Sequence, residues 1–137
     1  MAEGSEEKAP PFSDAELDIL SEGVIAKFPQ LYGDPEEQLS VAARNRFWEE
    51  IAGHCTAVGV YHRRGRMCRK RWDNLRRWAR IKAQEILGVS SQQHVHRPRL
   101  SPLYRRVLRK AWPDLHTQLD EHEQQSTGKS MNCCMCL

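Results

Sequence analysis

Apolar residues return every three or four positions along much of this chain, and the first such stretch is sharply bounded. Leu17, Leu20, Val24, Phe28 and Leu31 share one face, the repeat of a helix with one buried side. Ser13 and Glu16 form an S-x-x-E capping box ahead of it, in which each side chain satisfies a free backbone N–H of the first turn. Phe12 precedes the cap in the position from which a staple residue packs on Leu17. Pro29 ends or kinks this helix, because its ring removes a hydrogen bond and crowds the preceding turn. Gly33, Asp34 and Pro35 then make a loop. A second helix starts after Ser40 and places Val41, Arg44, Trp48, Ile51 and Cys55 on one face, with the Arg44 stem along its edge. Gly59 marks the turn beyond.

The third helix begins near Arg64–Arg66 and runs to about Leu87, where Gly88 stops it. At about 100° per residue, Cys68, Trp72, Leu75 and Ala79 fall within roughly 60° of one another and form a narrow apolar seam. Arg66, Arg69, Lys70, Asp73, Arg76, Arg77 and Arg80 lie away from the seam, while Arg71 and Trp78 flank it. Trp78 is expected to pack on residues 101–112, since large apolar groups rarely stand free. Residues 88–100 read as a linker. Ser101 and Pro102 are a cap and first-turn pair for a short basic helix to about Ala111 carrying Leu103, Val107 and Leu108, interrupted by Pro113. Residues 114–124 suit a further acidic turn or two. The expected organisation is an acidic disordered arm (1–11), a three-helix domain (12–87), the linker (88–100), a short helical extension (101–124) and a Cys-rich disordered tail (125–137). The fold class is all-α. Its core is expected from Phe12, Leu17, Leu20, Val24, Phe28, Trp48, Ile51, Cys68, Trp72 and Leu75. Trp48 and Trp72 sit on apolar stripes, so they read as core rather than as stacking platforms for single strands.

Charge changes the picture more than composition does. With 39% hydrophobic and 28% charged residues in 137, the chain is too apolar for full disorder and suits one small core. Residues 1–50 carry 4 Lys/Arg against 12 Asp/Glu, residues 51–112 carry 16 against 2, and residues 113–137 carry 1 against 4. The net charge of +3 therefore conceals a concentrated basic block, the footprint of a polyanion-binding surface. Residues 62–82, HRRGRMCRKRWDNLRRWARIK, hold ten Lys/Arg and one acid. Like charges at i,i+4 cost a helix a few tenths of a kcal/mol each, and a polyanion would relieve that repulsion. The preference for Arg over Lys suits bidentate contact with phosphate or with guanine O6 and N7. A solvated charged face would more usually mix signs.

These segments together resemble the Myb/SANT-like DNA-binding domains. The matching stretches are FSDAELDIL at the first helix, FPQLYG at its end, SVAARNRFWEEIA for the second helix, the linker TAVGVYHRRG, and RMCRKRWDNLRR in the third helix. Such domains take one core aromatic from each helix, here Phe12, Trp48 and Trp72. Their spacings of 36 and 24 residues are wider than in the common repeat and resemble the branch with long first and second loops. The resemblance covers roughly residues 10–87. It implies a helix-turn-helix-like three-helix bundle whose third helix enters the major groove of double-stranded DNA. It also implies base readout by Arg66, Arg69, Lys70 and Asp73, with Asn74 and Arg77 adjacent, an intrahelical pair of Asp73 with Arg69, Lys70 or Arg77 being the competing reading. Arg63, Arg64, Arg71, Arg76 and Arg80 are read as the phosphate contacts. The chain departs from the family where Arg63-Arg64 replaces the usual Arg-Thr, so the third helix lacks its hydroxyl cap. A nuclear regulator of transcription or chromatin is the expected role, and RKRWDNLRR also has the composition of an import signal. A SANT-type protein-interaction module is the alternative, weakened because a grip on basic histone tails needs an acidic third helix. Some relatives of this branch resemble transposon accessory proteins, which implies a protein partner or adaptor role beside DNA. A homodimer through residues 101–124 lacks a long heptad to support it.

Other chemistry is thin. His54, Cys55, His62, Cys68, His94 and His96 show no paired metal-ligand spacing, so no metal or other cofactor is expected. No Gly-rich phosphate loop, nucleophile elbow or carboxylate pair points to an enzyme or a small-molecule substrate. The tail has the form of a C-a-a-X box at Cys134, with Cys133 beside it for palmitate. Cys136 is a poor aliphatic residue there, and one lipid anchors only marginally, so a lipidated adaptor ranks below an inert tail. No apolar run approaches the ~18 residues of a membrane span, and the acidic first 25 residues lack a signal-peptide core. Without a signal peptide, the five cysteines are read as intracellular thiols rather than a disulfide framework.

Overall fold

A computed structural model describes residues 9–88 and 99–135, with side chains described to residue 124. All regular structure among the described residues is helical, in six helices: α1 (Asp14–Ala26), α2 (Phe28–Tyr32), α3 (Val41–Val58), α4 (Gly65–Leu87), α5 (Pro102–Ala111) and α6 (Pro113–Met135). The chain divides into two compact units, Met1–Asp73 and Asn74–Leu137. The division falls inside α4 rather than at the residue-87 boundary, because the second half of that helix takes neighbours from the segment after the linker.

In the first unit, α1 opens on the capping box. The Ser13 hydroxyl accepts from the Glu16 N–H at 3.2 Å, and Glu16 Oε1 accepts from the Ser13 N–H at 3.0 Å. The helix stops at Ala26, and Pro29 sits in the first turn of α2, where its missing N–H costs nothing. Ser40 caps α3, its hydroxyl accepting from Ala43 N–H at 3.1 Å. α1 packs along α3. Leu17, Leu20, Val24, Leu31, Phe47, Trp48, Ile51, Ala52, Cys55, Cys68 and Trp72 are buried. Three side chains depart from the periodic reading. Phe12 and Phe28 are half-buried rather than in the core, because Phe12 lies against a guanidinium and Phe28 against Tyr32. Val41, the first residue of α3, is 70% exposed. Phe47, which the periodicity passed over, is buried edge-on to Trp48 at 5.1 Å between centroids.

In the second unit, Leu75, Ala79, Ala83 and Ile86 of α4 are buried, as are Leu100, Val107, Leu108 and Leu119. Ser101 caps α5, accepting from Tyr104 N–H at 3.2 Å. Pro113 opens α6 rather than merely ending α5. Arg105 joins the two helices through Glu123 at 2.6 Å and Asp120 at 3.4 Å. The α6 backbone continues to Met135, well past residue 124, so residues 125–135 of the expected disordered tail are helical here. The expected side-chain chemistry of Cys133 and Cys134, residues 1–8 of the arm and most of the 88–100 linker lie outside the described residues.

Candidate nucleic-acid interface

The start of α4 is fixed from a distance. No hydroxyl precedes it, and the Arg64 carbonyl accepts its first bonds, from Met67 and Cys68 N–H at 3.0 and 3.2 Å. The Gly65 N–H donates instead to Glu49 Oε1 of α3 at 2.8 Å. A carboxylate there satisfies an orphan donor and complements the positive end of the helix dipole. The approach is so close that a Cβ on Gly65 would lie 2.9 Å from Glu49 Cδ and 3.1 Å from its backbone N. Sequence gave no local signal for Glu49, because cap and helix are 16 residues apart. Asn45, Trp48, Glu49, Gly65, Arg66 and Arg69 line a shallow groove of about 310 Å³ at this corner.

Buried residues of α4 form one seam through Cys68, Trp72, Leu75, Ala79, Ala83 and Ile86. Helical geometry then dictates the opposite side, where Arg66, Arg69, Lys70, Asp73, Arg77 and Arg80 are exposed. Asn74 is half-buried and its Oδ1 accepts from Arg77 Nη2 at 3.1 Å, which steadies that guanidinium. Arg64 is exposed before the helix, and Arg76 is half-buried. Arg71 is also half-buried on the seam side, with Nε out of solvent.

Arg63 departs from the expectation of a phosphate contact. It is 4% exposed and faces a Glu16 that is 3% exposed. Its Nε donates to Glu16 Oε2 at 2.6 Å and Nη2 to Oε1 at 3.2 Å. Nη1 and Nη2 also reach the carbonyls of Pro10 and Pro11 at 2.9 and 3.2 Å. The guanidinium lies 4.2 Å from the Phe12 centroid and 5.0 Å from that of Tyr61. Its backbone N–H donates to Thr56 Oγ1 at 2.9 Å. The hydrogen bonds from Arg63 hold the Glu16 carboxyl below its ordinary value, against the opposing effect of burial. Arg63 therefore ties the N-terminal segment, α1 and α3 together, and its guanidinium is enclosed rather than presented to a ligand. The fork of Arg suits this role as well as it suits phosphate, which is why composition could not separate the two.

Trp78 also departs from expectation: it is 42% exposed. The indole that meets α4 is Trp112, whose Nε1 donates to the Arg76 carbonyl at 3.1 Å while Arg80 lies 5.1 Å from its ring centroid. Among the described residues no three His, Cys, Asp or Glu side chains gather as metal ligands, and no helix is long and apolar enough to cross a membrane. Cys55 and Cys68 are buried free thiols. The Cys68 thiol is pushed up by its hydrogen bond to Cys55 and by burial.

The chain matches the Myb/SANT-like DNA-binding domain family over residues 8–85. It is similar to the proteins named Myb-related transcription factor, partner of profilin, at 35% identity over 79 residues in Mus musculus and in Homo sapiens, and at 37% over 79 residues in Xenopus laevis. Each alignment covers 58% of this chain but 20% of the mouse and human relatives and 23% of the frog one, so the chain spans about a fifth of their length. No solved structure matches it. With more than half of its residues in the match, the chain belongs to the Myb/SANT-like DNA-binding domain family.

Proposed function

We propose that this protein binds double-stranded DNA by laying the outer face of α4 in the major groove, as a nuclear regulator of transcription or chromatin. The observation that carries the reading is a helix with one apolar seam buried and, opposite it, an exposed row of Arg66, Arg69, Lys70, Arg77 and Arg80. An α-helix fits the major groove, and guanidinium forks match guanine O6 and N7. Arg66, Arg69, Lys70, Asp73, Asn74 and Arg77 read bases. Arg64, Arg76 and Arg80 position the duplex on its phosphates, without the buried Arg63 and without Arg71, which lies on the seam side with its Nε out of solvent. Family membership and the names of the relatives support the same reading.

Selection from random duplexes at fixed salt, followed by affinity measurements on the recovered site, tests it. Arg69→Ala is expected to relax preference at one base pair by about 1–3 kcal/mol, whereas Arg80→Ala weakens every sequence alike. Recovery of no preferred sequence, or equal losses for both variants across all sites, would refute the division of roles.

A further inference from the structure

We propose that α5 is a second duplex-contacting element, in which Arg109 and Lys110 grip phosphates beside those met by the second half of α4. The inference rests on the duplex-binding reading above and extends it past the family match, which ends at residue 85.

The basic residues of α5 differ in exposure, Arg105 and Arg106 being half-buried and Arg109 and Lys110 exposed. Arg105 is spent inside the unit on Glu123 and Asp120. Val107 and Leu108 are fully buried, which fixes the roll of the helix. Arg109 and Lys110 are exposed in its last turn. Two residues on, Trp112 fastens this end of the chain to α4 at the turn that carries Arg76, Arg77 and Arg80. Its indole N–H donates to the Arg76 carbonyl, and the Arg80 guanidinium lies over its ring. A carbonyl has two lone pairs, so it accepts the indole without giving up its helical bond. A tryptophan held at both its polar and its π surfaces keeps the last turn of α5, which carries this further pair of cations, close to the α4 turn of Arg76 and Arg80. Gathering like charges costs free energy in the isolated protein, and a phosphate backbone returns it.

A purely structural role is the competing account, since cations in a last turn also stabilise the helix dipole. The salt dependence of duplex binding by the full chain separates the two. For Arg109→Gln/Lys110→Gln, the slope of log K against log salt is expected to become shallower by about 2. Raising salt from about 50 to about 200 mM then costs the variant roughly tenfold less affinity than it costs the parent, equally for preferred and unrelated sequences. Arg109→Lys/Lys110→Arg keeps the charge and is expected to keep the parent slope. An unchanged slope in the Gln variant, with the parent still binding, would overturn the role of α5 and leave the α4 reading standing. A parent without affinity for any duplex would overturn both.

Discussion

Arg63 and Arg64 are neighbours of identical chemistry with opposite fates. Arg64 faces solvent, while Arg63 is enclosed with Glu16, Phe12, Tyr61 and two proline carbonyls. Removing one partner of a buried pair leaves an uncompensated charge and costs about 3–5 kcal/mol. Glu16→Gln should therefore lower stability strongly at neutral pH. The Glu16 carboxyl lies below its ordinary 4.5 in the fold, so the folded state holds it ionised where the unfolded chain would begin to protonate. Its contribution is complete above about 4.5 and drains as pH falls through the depressed value. Urea midpoints should show the gap between parent and Glu16→Gln narrowing below pH 4.5. A gap of constant size across that range would contradict the pairing. Nothing in the doublet itself distinguished the two arginines, because burial is decided by Glu16, 47 positions away.

Among the elements, α4 is the one whose start depends on another helix. The Glu49 carboxylate stands in for a missing hydroxyl cap, and Gly65 leaves room for it. Glu49→Ala should cost about 1 kcal/mol, in the range of lost helix caps, and speed amide exchange in the first turn of α4. Gly65→Ala should be at least as harmful, since its methyl would press on the Glu49 backbone as well as the carboxylate. Unchanged exchange at Met67 and Cys68 in Glu49→Ala would contradict the cap. Much of the element plan was legible because its signals are local: the Ser13–Glu16 box, the Ser40 and Ser101 caps and the stop near Gly88 each lie within a turn of the boundary they set. The α4 seam was legible from period alone. Glu49 was not, because its partner lies on another helix. Trp78, expected to pack, is 42% exposed, and Trp112 carried no signal of its contact, for a related reason. Both are large and apolar, and only the tertiary arrangement gives Trp112 the Arg76 carbonyl as an acceptor.

Across the whole molecule, charge is sorted along the chain. The first fifty residues carry a large excess of acid, and the segment through α4 and α5 carries a large excess of base. The acidic part meets the basic part at specific points, Glu16 at Arg63 and Glu49 at the head of α4. Those contacts consume one guanidinium and one backbone N–H, while Arg66, Arg69, Lys70, Arg77 and Arg80 keep their exposure. Single-sign faces of this density favour an anionic partner and respond steeply to ionic strength. The most direct test is the affinity of the full chain for duplex DNA across a salt series. If Arg64, Arg76 and Arg80 neutralise phosphates, log K falls with log salt at a slope of about −3 or steeper, and charge-removing variants at these positions flatten it. No affinity for duplexes of any composition near physiological salt, or a slope close to zero, would contradict the claim that this face is built to lie against DNA.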